Sequence, residues 1–328
     1  NSRKEWHIPV ERKIKVGIIG AGSIAHAAHF PSFSSFEDVE IAAVLDENYE
    51  RAKSACQKFN VKKAVRNIDE FLKQDLDAAV LLTPKTVRGE YLIPLLDAKL
   101  DVLVEKPLAS TMRECDYLAD VSAKSGQIVM VAFNRRYSTV NQIGIKEFES
   151  KPPHFVLASK SREFKEYRAT LENAIHMVDM LRYILGECTE VTAKAKWTDP
   201  FYEDLCTASL VFENGSLALL GASREAGQWY ERIEMFGDNK TVIMESPDRV
   251  TIIRPEYEEV RNMTPLNKGW SNYLDTIGFR GCTRHFIDCV KSRTKPLTSA
   301  EDAYKTMELM NRILQSAGLP DLTEEWGK

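Results

Sequence analysis

The chain has 328 residues, of which 44% are hydrophobic and 28% charged. That length predicts two domains with separate cores, and the composition excludes disordered, collagen-like and disulfide-scaffold classes. Lys and Arg number 44 against 48 Asp and Glu, and the net charge of -4 argues against nucleic acid or an anionic membrane as the main partner.

The first fifteen residues are strongly charged and lack an apolar core, so no signal peptide is read and the expected location is the cytoplasm. An uncharged stretch, Val16 to Phe36, has the length of a membrane span, yet three glycines, four serines, a proline and two histidines interrupt it. It reads better as a strand, a Gly-rich turn and a helix. From there to about Phe133, short apolar runs alternate with helical segments. The predicted strands are Lys15–Ile19, Glu40–Leu45, Ala64–Val65, Ala78–Leu82, Asp101–Val104 and Ile128–Ala132, and the helices between them are Asn48–Phe59, Ile68–Lys73, Val87–Lys99 and Thr111–Lys124. Continuous apolar runs such as Ala78–Leu82 suit strands buried on both faces, so this half is expected to be a doubly wound parallel sheet.

The pattern changes after Asn134-Arg135-Arg136-Tyr137. A helix near Val140–Glu149, a strand near His154–Ser159 and a helix from Ala169 to Leu185 precede longer alternating strands. Leu205–Phe212 and Leu217–Ala222 flank Asn214-Gly215, which predicts a β-hairpin with a type I′ turn. Arg232–Phe236 and Thr241–Glu245 add two strands. Thr298-Ser299-Ala300-Glu301 reads as a capping box for a last helix running towards Gly318. The fold class is therefore α/β: a Rossmann domain over residues 1–133, then an α/β domain over 134–328 with a large, mostly antiparallel open sheet, its final helix able to pack back on the first domain.

Gly20-Ala21-Gly22-Ser23-Ile24-Ala25 is a G-x-G-x-x-A motif that follows a strand and opens a helix. The first glycine makes the turn, the second lets a pyrophosphate approach the backbone, and Ala25 lets helix and strand pack closely. The second strand ends at Asp46, where a carboxylate accepts from ribose hydroxyls. With Glu47 it repels a 2′-phosphate, so NAD is the expected cofactor; Arg51 nearby keeps NADP as the alternative. The six cysteines, Cys56, Cys115, Cys188, Cys206, Cys282 and Cys289, show no metal-ligand spacing, so no metal is expected and the thiols read as reduced core residues.

With this fingerprint, Thr83-Pro84 and Glu105-Lys106-Pro107 after successive strands, Asn134-Arg135-Arg136-Tyr137 and a later helix carrying His176, the chain resembles the Gfo/Idh/MocA family of NAD(P)-dependent oxidoreductases. Over Gly278–Ile287 and the final helix it looks most like the MviM-type branch. The resemblance implies that Gly20, Gly22, Ser23, Ile24, Asp46, Thr83, Pro84, Glu105, Lys106 and Asn134 hold the dinucleotide. It implies a homodimer or homotetramer built through the C-terminal sheet.

It also places Lys106 beside nicotinamide and substrate, and independently a lysine at the carboxyl end of a parallel strand points into the ligand crevice. On the helical wheel Ala174, Met177, Val178, Leu181, Ile184 and Leu185 form one face, and Glu172, His176, Asp179 and Tyr183 the other. A polar stripe of this kind ordinarily faces water; in the family it faces the nicotinamide, which makes His176 the proton acceptor. Where relatives carry Asp-x-Gly-x-His, this chain has Glu172-Asn173-Ala174-Ile175-His176, so the pocket is expected to be reshaped, with Glu172 orienting His176 or binding a neighbouring hydroxyl. Arg88 stands where His is common. The expected reaction moves a hydride between nicotinamide and a secondary alcohol or ketone of a sugar-like or polyol substrate; the competing readings are a non-catalytic dinucleotide or sugar sensor and an NAD-dependent glycosidase.

Overall fold

The computed structural model describes residues 12–163, 167–199, 202–263 and 273–323. The charged N-terminal stretch lies, through residue 11, outside these. Six strands, β1 (Ile14–Ile19), β2 (Val39–Leu45), β3 (Lys63–Val65), β4 (Ala78–Leu81), β5 (Asp101–Val104) and β6 (Val129–Val131), form a parallel sheet in the order β3-β2-β1-β4-β5-β6. Strands β4 and β5 are buried on both faces, as the unbroken apolar runs require. The strand order reverses between β1 and β4, and a crevice opens there beyond the carboxyl ends.

The second sheet has eight strands: β7 (Phe155–Ser161), β8 (Cys188–Lys196), β9 (Leu205–Phe212), β10 (Leu217–Ser223), β11 (Tyr230–Gly237), β12 (Lys240–Glu245), β13 (Arg249–Arg254) and β14 (Tyr257–Asn262). They run antiparallel except where β7 meets β10. Helix Ile175–Leu185 packs behind the sheet, and helix Ala300–Ala317 lies against both β8 and helix Met112–Ser125 of the first unit. A main-chain bond from Val131 N to Thr298 O (2.7 Å) ties the two units directly.

Three local expectations are corrected. The hairpin turn is not type I′, because Gly215 alone takes a positive φ (80°); Asn214 does not. The Asn214 side chain instead accepts from Ser216 N (2.9 Å) and donates to Leu185 O (3.1 Å), which holds its backbone in the ordinary region. The last helix is capped by Ser299, whose hydroxyl accepts from Asp302 N, while Thr298 Oγ1 donates to Val131 O (2.6 Å). Finally, the segment before Ile175–Leu185 is a π turn, Ala169–Ala174. Its wider turn shifts Glu172 relative to His176. Asp179, three residues on and about 60° round the helix from His176, is buried against Arg136 rather than facing the crevice.

Candidate active site

The crevice between the sheets is a cleft of about 720 Å³, and every site residue expected from the sequence lines it. The glycine turn forms its floor. Gly20 has φ 99°, and a Cβ there would press on the Leu82 backbone at 3.0 Å; a Cβ on Gly22 would meet nothing within 4 Å. The first glycine is needed for the turn, and the second leaves open space above the backbone, where a pyrophosphate fits. The buried Thr83 Oγ1 on the same rim has no hydrogen-bond partner. An open glycine cradle beside an unsatisfied hydroxyl suits a dinucleotide, and Gly20, Gly22, Ser23, Ile24, Thr83 and Pro84 line that part of the cleft.

Asp46 has a second task that sequence reasoning missed. Its Oδ2 accepts from Ala21 N (2.7 Å) and its Oδ1 from Asn48 N (2.9 Å), so the carboxylate braces the glycine turn from the end of β2. Each oxygen keeps a further lone pair for the cleft that the residue lines.

The signature after β5 is built around a buried charge. Glu105 Oε1 bonds His29 Nε2 (2.8 Å), and Glu105 Oε2 accepts from Lys106 N (3.0 Å). Burial pushes the Glu105 carboxyl up, but His29, Lys106 and Arg88 together hold it below the ordinary glutamate value. Arg88 is buried and donates to Thr83 O and Lys106 O (3.3 Å each), lacing the two signature loops together. Lys106 Nζ donates to Glu172 O (2.9 Å), four residues before His176, which tethers the ammonium to the turn carrying the imidazole. Burial lowers the Lys106 pKa, with Glu105 opposing.

His176 is buried, and its Nδ1 has no hydrogen-bond partner among the described residues. Burial, then the charges of Lys160, Lys106, Arg135 and Arg162, hold its pKa well below the ordinary histidine value, so the ring is neutral at pH 7 and able to accept a proton. Glu172 does not orient it. The Glu172 carboxylate accepts from Arg168 N (3.2 Å) and pairs with Lys85 (3.4 Å), because the π turn carries it to the rim.

A buried acid beneath the cleft went unread in the sequence. Glu231 lies buried beneath the cleft, with Arg135 in a two-bond fork on its carboxylate (2.6 Å each) and with Lys160 and Trp229 Nε1 (2.9 Å) bonded to Oε1. Arg135 and Arg136 thus both form buried ion pairs, the latter with Asp179 and Asp302. A signal for this cluster exists: Lys160 falls in phase with buried Val156 and Ala158, and Glu231 with Ile233 and Met235. The two pair directly across β7 and β11. Asn134 Nδ2 is engaged by Ile277 O (2.9 Å), which joins it to the segment leading into helix Phe279–Ser292. Among the described residues no group of three or more His, Cys, Asp or Glu is placed to hold a metal ion.

The profile described as "Oxidoreductase family, NAD-binding Rossmann fold" (GFO_IDH_MocA) matches residues 14–133, and that of its "C-terminal alpha/beta domain" matches 165–318. The myo-inositol 2-dehydrogenase of Thermotoga maritima is 27% identical over 311 residues, covering 88% of this chain and 92% of that protein. Among solved structures, the MviM dehydrogenase of Clostridium difficile superposes with a TM-score of 0.85 at 23% identity, covering 93% of this chain and 100% of the other. An Agrobacterium radiobacter oxidoreductase in complex with NAD+, L-tartaric acid and magnesium does so at 0.84 and 20%, covering 93% and 96%. At these identities the two structures establish a shared fold.

Proposed function

The chain belongs to the Gfo/Idh/MocA oxidoreductase family and is an NAD(P)-dependent dehydrogenase or reductase acting on a CH–OH group; on that premise we propose how its residues divide the work. Residues 1–133 hold the dinucleotide and 134–328 present substrate and assemble the oligomer. The substrate is sugar-like or a polyol, as in the Thermotoga relative that is named for inositol. His176, whose ring lines the cleft, takes the hydroxyl proton, and Lys106 donates to the same oxygen and stabilises its developing negative charge. The nicotinamide, when bound, accepts or returns the hydride. Glu172 serves through its carbonyl, which positions the Lys106 ammonium.

The observation that carries this reading is the convergence of a neutral buried imidazole and a lysine ammonium, tethered to one helical turn, at the switch-point crevice. NAD is favoured over NADP because Asp46 and Glu47 line the cleft, with Arg51 also there as the residue that would admit a 2′-phosphate. The working location is the cytoplasm, and the oligomer is a dimer or tetramer formed through the eight-stranded sheet.

The test is substitution of Lys106→Ala and His176→Ala, each assayed for NAD-linked turnover and, by NADH fluorescence titration, for cofactor binding. Turnover is expected to fall by roughly 10²–10⁴-fold in each variant while cofactor affinity changes little. Wild-type turnover in either variant would remove that residue from the mechanism.

A further inference from the structure

The substrate wall of the cleft carries more positive charge than oxidation of a neutral polyol requires. Arg135, Lys160, Arg162 and Lys106 all line it, and the carboxylate beneath them is Glu231. Of the other acids at this end, Glu172 is already paired with Lys85, and Glu105 is held by His29 and by the Lys106 main-chain N–H. Lys160, whose pKa burial and Arg135 lower well below the ordinary lysine value against the pull of Glu231, gives Glu231 one bond, and the rest of its Nζ donor capacity is uncommitted among the described residues. Arg162, directly after β7, makes no ion pair among the described residues, and its buried Nε has no hydrogen-bond partner. Buried cationic donors left unsatisfied are costly in an empty site and are satisfied by an anionic ligand.

Resting on the dehydrogenase reading, we propose that the substrate is a polyhydroxy compound bearing an oxyanion group, a sugar carboxylate or a sugar phosphate, which Arg162 binds with Lys160 and Arg135 beside it. The flanking Trp229 and Tyr273 line the same wall and offer apolar faces to the carbon skeleton. The charge arrangement also bears on His176. The cations that lower its pKa come from β7 and its end (Lys160, Arg162), from the loop after β5 (Lys106) and from the turn after β6 (Arg135); of the acids around them, Glu105 and Glu172 line the cleft before Lys106 and before the His176 helix, and Glu231 of β11 lies beneath Arg135 and Lys160. Those cations depress its basicity, and an oxyanion seated among them offsets that effect once substrate is in place.

The experiment titrates the NADH-loaded enzyme calorimetrically with a matched series, D-glucose, D-glucuronate and D-glucose 6-phosphate, and measures NAD+ reduction by the same compounds. At least one acidic member is expected to bind tenfold or more tighter than glucose. Arg162→Gln should bring that ratio close to one, and Arg162→Lys, which keeps the charge, should restore part of it. The carboxylate and phosphate arms tell the two sources of the oxyanion apart. For a turned-over acid, the acid limb of kcat should lie at higher pH than that of kcat/KM, because the former reports the complex and the latter the free enzyme. Absence of any acid preference in the wild type, or a preference that survives in Arg162→Gln, overturns the proposal. Turnover of glucose without acid preference would do so while leaving the dehydrogenase reading intact. Acid-selective binding without NAD+ reduction by any member would uphold the anion site and count against the reaction.

Discussion

Glu231 shows how one buried residue can serve both stability and chemistry. Burial by itself pushes a carboxyl pKa up, but the charges and hydrogen bonds of Arg135 and Lys160 outweigh it and bring Glu231 down to about 2. A carboxylate whose folded pKa lies below its unfolded value contributes stability that is complete above the ordinary glutamate value and is lost as pH falls from there towards about 2. Glu231→Gln removes the charge, leaving Arg135 buried without its ion-pair partner and Lys160 without the carboxylate that opposes its lowered pKa. Loss of one partner from a buried ion pair costs about 3–5 kcal/mol, so urea unfolding at pH 7 should show a destabilisation of that order. The gap should narrow as pH falls through 4 towards 3, because the wild type loses there what the variant never had. A gap that stays constant between pH 7 and pH 3 would mean that Glu231 is not the anionic partner of this cluster.

Gly278 governs how the elements around the cleft meet. It enters helix Phe279–Ser292 with φ 91°, and a Cβ there would stand 2.1 Å from Asn134 O and 2.5 Å from Ser138 N. Neither is a side chain that can swing away, so Gly278→Ala must separate the helix from the turn Asn134–Tyr137. The variant should lose more stability than the roughly 1 kcal/mol of an ordinary positive-φ glycine replacement, and its NADH affinity should fall because Asn134 and Ile277 line the cleft. Thermal melting with and without NADH would register both effects; an unchanged melting temperature would show that the junction yields freely. The parallel sheet, the glycine turn and the Glu105-Lys106 loop were legible because each depends on local signals: runs of apolar residues, a two-glycine spacing and a strand end. The separation of Glu172 from His176 was not, because the π turn Ala169–Ala174 leaves no mark in the periodicity, nor was the burial of Asp179, whose partner Arg136 is distant in sequence. Nor was the role of Arg88, since its partners are the main-chain oxygens of Thr83 and Lys106, which any sequence supplies. Lys160 and Glu231 stood in plain phase with their apolar neighbours but were passed over, since a charge on an alternating strand is ordinarily solvent-facing.

At the scale of the whole molecule, the eight-stranded sheet has one face packed on helices and one that is without cover among the described residues. Strands β9, β10 and β11 alternate buried with accessible positions, and the accessible set includes Leu205, Leu217, Leu219 and Tyr230, between 38% and 49% exposed. Leu217 and Leu219 stand two apart on β10, with Leu205 and Tyr230 towards the other end of the same face, and exposed apolar side chains on a sheet face are the kind that subunit contacts cover. The proposed dimer or tetramer is expected to use this face. Leu217→Glu with Leu219→Glu places two charges on that face. Both side chains already contact water, so folding should change by only about 0.5 kcal/mol per site, whereas burying either charge in a subunit contact is strongly unfavourable. Light scattering coupled to size exclusion should report an oligomer for the wild type and a smaller species for the double variant, with NADH binding retained because the substituted face lies away from the cleft residues. An oligomer of unchanged mass in the variant would locate the subunit contact elsewhere on the chain.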